Sequence, residues 1–204
     1  TLALSEPGTG IHFYIPQTRL DRLSDDEYRM TGTKSFVTNG GQADSYVMNT
    51  AAADPQAPPG QFSCVVVEAA TPGLQWQSPW QGWGMRGNSA RSLVLQDVHV
   101  PQRNLLGDEG DEIWYVFNVV APYFLIAMAG TYLGIASAAL EEARRHLGSR
   151  TYAFRGTTLG QQTILQHRFG TLWATVERTR QLIYHAAALG DAGAADALPA
   201  ICSA

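Results

Sequence analysis

The pattern of hydrophobic and polar positions divides the chain into two parts near residue 110. In the first part, short apolar runs alternate with clusters of turn-forming residues, which is typical of β-strands. The predicted strands are 27–32 and 34–38, joined around Gly32, then 45–50, 61–68 and a run over 92–100 that Pro101 ends. Because no helical pattern lies between these runs, we expect an antiparallel barrel or sandwich.

The second part has the spacing of helices. Pro122 is compatible with a first helical turn, so we expect a long helix from there to about residue 147, with Gly148 as its stop. A second helix is predicted after Gly160, and a third to start at Pro199. The second helix has an apolar stripe at three- to four-residue steps, formed by Leu165, Phe169, Leu172, Val176 and Ile183.

These patterns predict an α+β fold class: a small antiparallel β-barrel or sandwich domain followed by an incomplete antiparallel helical bundle. We place the β-domain at 1–110 and the helical domain at 111–204. The helical domain is expected to be truncated, because a new helix begins only a few residues before Ala204.

Residues 113–140 contain no Asp, Glu, Lys or Arg, and this stretch is long enough to cross a bilayer. Gly130 and Gly134 also have a spacing found in paired membrane helices. Acidic residues lie on both sides of the stretch, however, whereas a membrane helix favours Lys or Arg on one side. We therefore expect no membrane span, and a homodimer or homotetramer that covers the apolar surface of this helix.

Charge and cysteine content exclude other classes of protein. The net charge is −4 and no run of basic residues occurs, so a nucleic-acid surface is not expected. Cys64 and Cys202 lie far apart without the spacing of metal ligands or of a disulfide framework, so no metal site is predicted. A reducing, cytoplasmic location is the simplest interpretation.

Four segments resemble motifs of acyl-CoA dehydrogenases, in the same order and spacing. Residues 4–10 are similar to the family's Thr-Glu-Pro-x-x-Gly-Ser-Asp, and 28–44 to its Gly-x-Lys-x-(Trp/Phe)-Ile-Thr-Asn strand pair. The others are 84–91 with its continuation over 97–107, and 129–140, which resembles the first helix of the C-terminal domain. The resemblance covers essentially the whole chain, and it implies a fragment without the N-terminal helical domain and the end of the C-terminal one.

The resemblance implies an FAD-dependent oxidoreductase of fatty acid metabolism. In the family, a base removes the α-proton of an acyl-CoA thioester while the β-hydrogen leaves as hydride to flavin N5. Electrons then pass to an electron-transferring flavoprotein, or to oxygen. The expected ligands and partners are therefore FAD, an acyl-CoA or related small molecule, and one of these acceptors.

The same resemblance implies roles for individual residues. Leu4 and Ser5 would lie against the flavin pyrimidine ring, Phe36 would pack on the ring, and Thr38 would reach N5. From the strand pattern alone, Phe36 and Thr38 are ordinary strand residues. Arg150 or Arg155 would pair with the FAD diphosphate, and the sequence does not decide between the two arginines.

Other positions depart from the family pattern. Gly10-Ile11-His12 replaces Gly-Ser-Asp, and we expect His12 to be a structural, hydrogen-bonding residue. The usual glutamate base is expected beyond Ala204. Tyr123, Phe124 and Val120 are the candidate substrate-contacting residues, and a neutral tyrosine is a poor base because its ordinary pKa is about 10.

These departures leave two alternatives open. One is a flavin monooxygenase or nitroalkane oxidase-like enzyme with the same fold, because fold does not fix function. The other is a degenerate, non-catalytic scaffold that has lost the flavin.

Overall fold

The structure of the protein is a computed structural model that describes residues 1–10, 12–58, 60–110 and 113–204. Ile11, one of the positions that depart from the family motif, lies outside the described residues. The chain forms two compact units, Thr1–Val116 and Phe117–Ala204, and each is described by itself.

The first unit consists of two four-stranded sheets, with strand orders β1-β4-β5-β8 and β2-β3-β7-β6. All strand pairs are antiparallel except β1–β4, which is parallel. Across the described ranges both sheets are open, so the strands form no closed barrel. The strands are β1 (Leu2–Ala3), β2 (Arg19–Arg22), β3 (Glu27–Val37), β4 (Ser45–Ala51), β5 (Phe62–Glu68), β6 (Leu74–Pro79), β7 (Arg91–Pro101) and β8 (Leu105–Leu106).

The main core lies where alternate residues of these strands point inward, as the period of two requires. Strand β5 is buried along most of its length: Val65 and Val67 belong to the main core, while Phe62 and Cys64 pack with Val116 in a second cluster. The main core consists of Ala3, Leu20, Tyr28, Met30, Val37, Tyr46, Met48, Val65, Val67, Leu93, Leu95, Val98 and Val100.

The prediction of two strands joined around Gly32 is wrong, because β3 runs without a break from Glu27 to Val37. The glycine is needed for close approach of the backbone rather than for a turn. A Cβ atom on Gly32 would lie 2.6 Å from Thr18 Oγ1 and 2.8 Å from Thr18 Cα. The pairing of β3 with β7 is irregular at this point, between Met30 and Gly32, and again between Lys34 and Val37.

The second unit contains helices α2 (Ala121–Ser149), α3 (Thr163–Asp191) and α4 (Ala197–Ser203). Before them lie a short helical turn, α1 (Ile113–Tyr115), and a π-helical turn over Val116–Val120. Pro122 lies in the first turn of α2, as predicted. The predicted stripe on α3 holds for Ile183, which is buried, but not for Leu172, which is 58% exposed.

By length and composition alone, the helical run Ile113–Ser149 is long and apolar enough to cross a membrane, a property that core helices of soluble proteins share. Several large apolar side chains of this run are exposed in the single chain, among them Phe117, Tyr132 and Ile135. Burial of the run against other subunits stays a prediction.

Candidate functional site

Three consecutive residues of β3 lie at the centre of the candidate site. The side chain of Lys34 is fully buried, whereas Phe36 is 62% exposed. Between them, the Ser35 N–H donates to the Ser5 carbonyl oxygen at 2.8 Å. The segment of Leu4 and Ser5 therefore lies directly beside the part of β3 that presents Phe36.

Thr38 follows the last residue of β3, and its side chain is exposed. Among the described residues, its hydroxyl has no hydrogen-bond partner. The structure thus brings Leu4, Ser5, Phe36 and Thr38 together on one edge of the first unit.

The backbone of Phe36 is strained, with a φ angle of 54°. For a residue with a side chain, the left-handed region costs about 1–2 kcal/mol. The register shift between Lys34 and Val37 adds a residue to the strand, so Lys34 and Val37 both point inward and Phe36 points outward. Strain of this kind is found at sites where function requires a specific side-chain direction.

An open cavity of about 390 Å³ lies next to Phe36 and is also lined by Trp80 and Arg91. The rings of Phe36 and Trp80 meet edge to face, with centroids 5.4 Å apart and an interplanar angle of 73°. The Nε atom of Arg91 is buried and has no hydrogen-bond partner within the described part of the chain. The cavity therefore offers aromatic surface to a ligand.

A buried polar cluster lies directly behind this edge. Lys34 Nζ donates to Glu6 Oε1 at 2.6 Å, to Asn49 Oδ1 at 2.7 Å and to the carbonyl oxygen of Asn49. The Glu6 carboxylate also accepts from the Thr18 hydroxyl at 2.6 Å and from the Gln17 N–H at 2.6 Å. All three ammonium hydrogens and both carboxylate oxygens are thus used, which is what a buried ion pair requires.

The surroundings shift the pKa values of both partners. Burial lowers the pKa of Lys34 from 10.5 to about 8, against the opposing effect of Glu6. Burial alone would raise the pKa of Glu6, but the Lys34 charge and the hydrogen bonds from Lys34, Thr18 and Gln17 outweigh it and hold the pKa below its usual value. Near pH 7 the pair is therefore charged on both sides.

The cluster also closes the loop that starts after Glu6. Because the Glu6 carboxylate accepts the N–H groups of Gln17 and Thr18, it joins the two ends of this loop. Within the loop, His12 Nδ1 lies 2.8 Å from the Tyr14 hydroxyl oxygen, so the expected hydrogen-bonding role of His12 is confirmed.

The two candidate phosphate-binding arginines lie in the second unit, after α2. Arg150 caps this helix through its N–H, which donates to the His146 carbonyl oxygen at 3.1 Å. Arg155 lies in the following turn, with its guanidinium carbon 5.4 Å from the centre of the Phe154 ring. Both side chains are exposed, and within the described ranges neither forms an ion pair.

The three candidate substrate-contacting residues lie at the N-terminal end of α2. Tyr123 is 78% and Phe124 59% exposed, whereas Val120 is half-buried in the π-helical turn. Neither exposed side chain is charged, so this end of the helix presents an aromatic surface.

The sequence reasoning missed the roles of Glu6 and Lys34, although both lie inside the motifs that carried the resemblance. A signal was present, because a period of two places Lys34 on the same inward face of β3 as Tyr28 and Met30. A charged residue at an inward position needs a buried partner.

Comparison with known proteins supports the resemblance across nearly the whole chain. Residues 1–98 match the model of the acyl-CoA dehydrogenase middle domain, and residues 117–204 match that of the acyl-CoA dehydrogenase C-terminal domain. A cyclohex-1-ene-1-carbonyl-CoA dehydrogenase from Syntrophus aciditrophicus is 33% identical over 190 residues, which are 93% of this chain and 45% of that protein.

Two solved structures have the same fold. An acyl-CoA dehydrogenase from Geobacillus kaustophilus matches with a TM-score of 0.87 and 25% identity, over 98% of this chain and 52% of that one. Butyryl-CoA dehydrogenase from Megasphaera elsdenii matches with a TM-score of 0.86 and 29% identity, over 98% and 51%. The chain spans about half the length of the curated relatives it matches. Both parts of the chain agree, and it belongs to the acyl-CoA dehydrogenase family.

Proposed function

We propose that this chain holds the flavin of an FAD-dependent oxidoreductase that desaturates an acyl-CoA thioester between Cα and Cβ. The observation that carries the proposal is the single edge shared by Leu4, Ser5, Phe36 and Thr38. The Phe36 ring is exposed, and the Thr38 hydroxyl has no hydrogen-bond partner among the described residues. Both features fit a planar ligand that has hydrogen-bonding groups on its rim. Bound FAD would supply the hydride-accepting chemistry.

In this proposal, each part of the chain has a limited task. Leu4 and Ser5 bound the pyrimidine side of the flavin, Phe36 packs on the ring system, and Thr38 supplies a hydroxyl to the N5 side. Arg150 or Arg155 pairs with the diphosphate, because a guanidinium binds two phosphate oxygens at once. Packing against Phe36 would cover one face of the ring system and leave the opposite face to the substrate.

We assign the base that removes the α-proton to none of the residues that the structure describes. Glu6, the carboxylate nearest in sequence to this edge, is buried and committed to Lys34. Tyr123 is not assigned this role either, because a tyrosine hydroxyl is a poor general base. With Phe124 and Val120, it is proposed instead to contact the acyl substrate.

The partners follow from the same proposal. We propose an electron-transferring flavoprotein or oxygen as the acceptor, a homodimer or homotetramer, and a cytoplasmic enzyme of fatty acid metabolism. The exposed apolar side chains of α2 support assembly, since a surface of that kind is rarely left open to water.

The direct test is anaerobic titration of the full-length flavoprotein with acyl-CoA thioesters of different chain lengths. The oxidised flavin band at about 450 nm should bleach with at least one of them, because hydride transfer reduces the ring. A Phe36→Ala variant should retain less flavin, whereas Trp173→Ala, which changes an exposed aromatic residue of α3 that is given no role in flavin binding, should retain as much as the wild type. Retention of the band with every thioester would contradict the proposed reaction.

A second candidate keeps the flavin but reacts with oxygen, as a monooxygenase or nitroalkane oxidase does. The exposed pair Tyr123 and Phe124 motivates it, because these residues depart from the family pattern at positions proposed to contact the substrate. Measurement of oxygen uptake with nitroalkanes and acyl-CoA thioesters separates the two candidates. A purified full-length protein without any flavin absorbance would favour the non-catalytic scaffold instead.

A further inference from the structure

The proposed reaction gives no role to the buried cluster of Lys34 and Glu6, which lies behind the proposed flavin edge. Glu6 directly follows Ser5 in the chain, and Lys34 lies two residues before Phe36. The ion pair between them, with Nζ and Oε1 2.6 Å apart, therefore joins the two segments that form the edge.

A main-chain hydrogen bond connects the same two segments next to this pair. The Ser35 N–H donates to the Ser5 carbonyl oxygen at 2.8 Å, one residue from Glu6 and one from Lys34. Two neighbouring residues of each segment are thus tied together, one pair through side chains in the core and the other through the backbone. A segment held at two points has little freedom left to lose when a ligand binds.

Burial makes this connection specific. The side-chain exposure is 0% for Lys34 and 3% for Glu6, so solvent does not compete for either charge. The Lys34 ammonium has two further acceptors on Asn49 of β4, and the Thr18 hydroxyl reaches the Glu6 carboxylate from the start of β2. Gly32 leaves the space for Thr18, because a Cβ there would overlap with its side chain.

We infer that Lys34 and Glu6 are positioning residues for the flavin, which hold the main chain of Leu4 and Ser5 against the stretch of β3 that presents Phe36. This inference rests on the proposed function. It goes beyond it in assigning a task to two residues that do not touch the ligand. Neither residue is a proton donor or acceptor in the reaction.

The test is the affinity of the flavin-free full-length protein for FAD, measured by titration with fluorescence or absorbance. Lys34→Met keeps the length and most of the volume of the side chain but removes the ammonium. We expect its dissociation constant for FAD to rise about tenfold, since the ligand then has to order two residues that the ion pair ordered in advance. The spectrum of its bound flavin should shift toward that of free FAD, because the contacts at the ring edge loosen.

Val100→Ala is the matched control. Val100 is buried in the core and pairs with Tyr28, at the far end of β3 from Phe36. The substitution lowers stability through a core cavity, but we expect FAD affinity within about twofold of the wild type and an unchanged flavin spectrum. If general loss of stability explained the effect of Lys34→Met, the control would show it too.

Thr18→Val is a milder variant for the case in which Lys34→Met does not fold. It removes one hydrogen bond to Glu6, at 2.6 Å, and leaves the ion pair in place. We expect it to weaken FAD binding about threefold to fivefold, in the same direction as Lys34→Met.

The outcomes separate the two proposals. A wild-type protein that binds no FAD overturns the proposed function. A wild type that binds FAD, together with Lys34→Met and Thr18→Val variants that bind it as tightly and with the same spectrum, overturns the positioning role alone. Weaker binding in these variants with an unaffected Val100→Ala control supports it.

Discussion

The ion pair of Glu6 and Lys34 should contribute far less to the free energy of unfolding than the cost of substituting either residue alone suggests. Removing Lys34 by substitution with Met leaves the Glu6 carboxylate 3% exposed and without its counter-charge. Breaking a buried pair in this way costs about 3–5 kcal/mol. Glu6→Gln should cost a similar amount, because it leaves the fully buried Lys34 ammonium without its counter-charge, although the two bonds of that ammonium to Asn49 remain.

The double variant, Glu6→Gln with Lys34→Met, removes both charges together. No unpaired charge is then buried, so its cost should be at least about 2 kcal/mol smaller than the sum of the two single costs. The assay is urea unfolding of all four full-length proteins at pH 7 without added FAD, followed by fluorescence and circular dichroism. Flavin is left out because a ligand that binds only the folded state would add its own stabilisation.

The pH dependence gives an independent check on this interpretation. In the Lys34→Met variant, burial without a counter-charge raises the pKa of Glu6 above its unfolded value. The variant then loses stability as pH rises through that raised pKa, whereas in the wild type the pKa of Glu6 is lowered and the carboxylate is charged throughout. The difference in unfolding free energy should therefore grow between pH 5 and 7. Additive costs of the two single variants within about 0.5 kcal/mol, with a difference independent of pH, would refute the reasoning.

Three further predictions concern the ammonium, the aromatic edge and a glycine. Burial lowers the pKa of Lys34 to about 8, so between that pH and about 10.4 the unfolded chain binds more protons than the folded protein. As pH rises through this range, the unfolding free energy of the wild type should therefore rise relative to that of Lys34→Met. Urea unfolding at pH 8 and 10 measures the difference, and a relative fall contradicts the prediction. Phe36→Gly should relieve the strain of the left-handed backbone yet weaken FAD binding, so stability measured without flavin falls by less than about 1 kcal/mol while the dissociation constant rises. Gly73→Ala should lower the unfolding free energy by about 3 kcal/mol, because the new Cβ would lie 2.4 Å from the Gln96 carbonyl oxygen. Gly8→Ala has a similar positive φ but open space around it, so it should cost only about 1–2 kcal/mol. Equal costs in urea unfolding would show that the backbone conformation alone matters.

Much of the fold follows from local patterns. Strands β4 and β5 are apolar runs bounded by turn residues, so the sequence predicts them closely. Strand β2 was missed because it has four residues, three of them charged, and pairs with β3 only in the folded sheet. We predicted a break in β3 at Gly32 from a local rule about glycine. The structure instead requires a glycine there because Thr18, distant along the chain, approaches its backbone closely.

The candidate site shows the same limit. The residues of the proposed flavin edge were identified by resemblance, but periodicity alone assigned Phe36 to an ordinary strand position. Its outward direction depends on the register shift between Lys34 and Val37, which no single-strand pattern reveals. The partner of Lys34 was also hidden, because Glu6 lies 28 residues away in the chain and the two meet only through sheet formation.

The Glu6 carboxylate accepts hydrogen bonds from the N–H groups of Gln17 and Thr18 and so holds together the two ends of the loop that starts after Glu6. Phe13, inside this loop, packs against the buried cluster of Phe62, Cys64 and Val116, and its carbonyl oxygen accepts from the Asn49 side chain. The loop is thus anchored in its middle as well as at its two ends, and only its exposed positions, such as His12, can be exchanged without disturbing the strands on either side. Protein engineers should confine substitutions and reporter groups to those exposed positions.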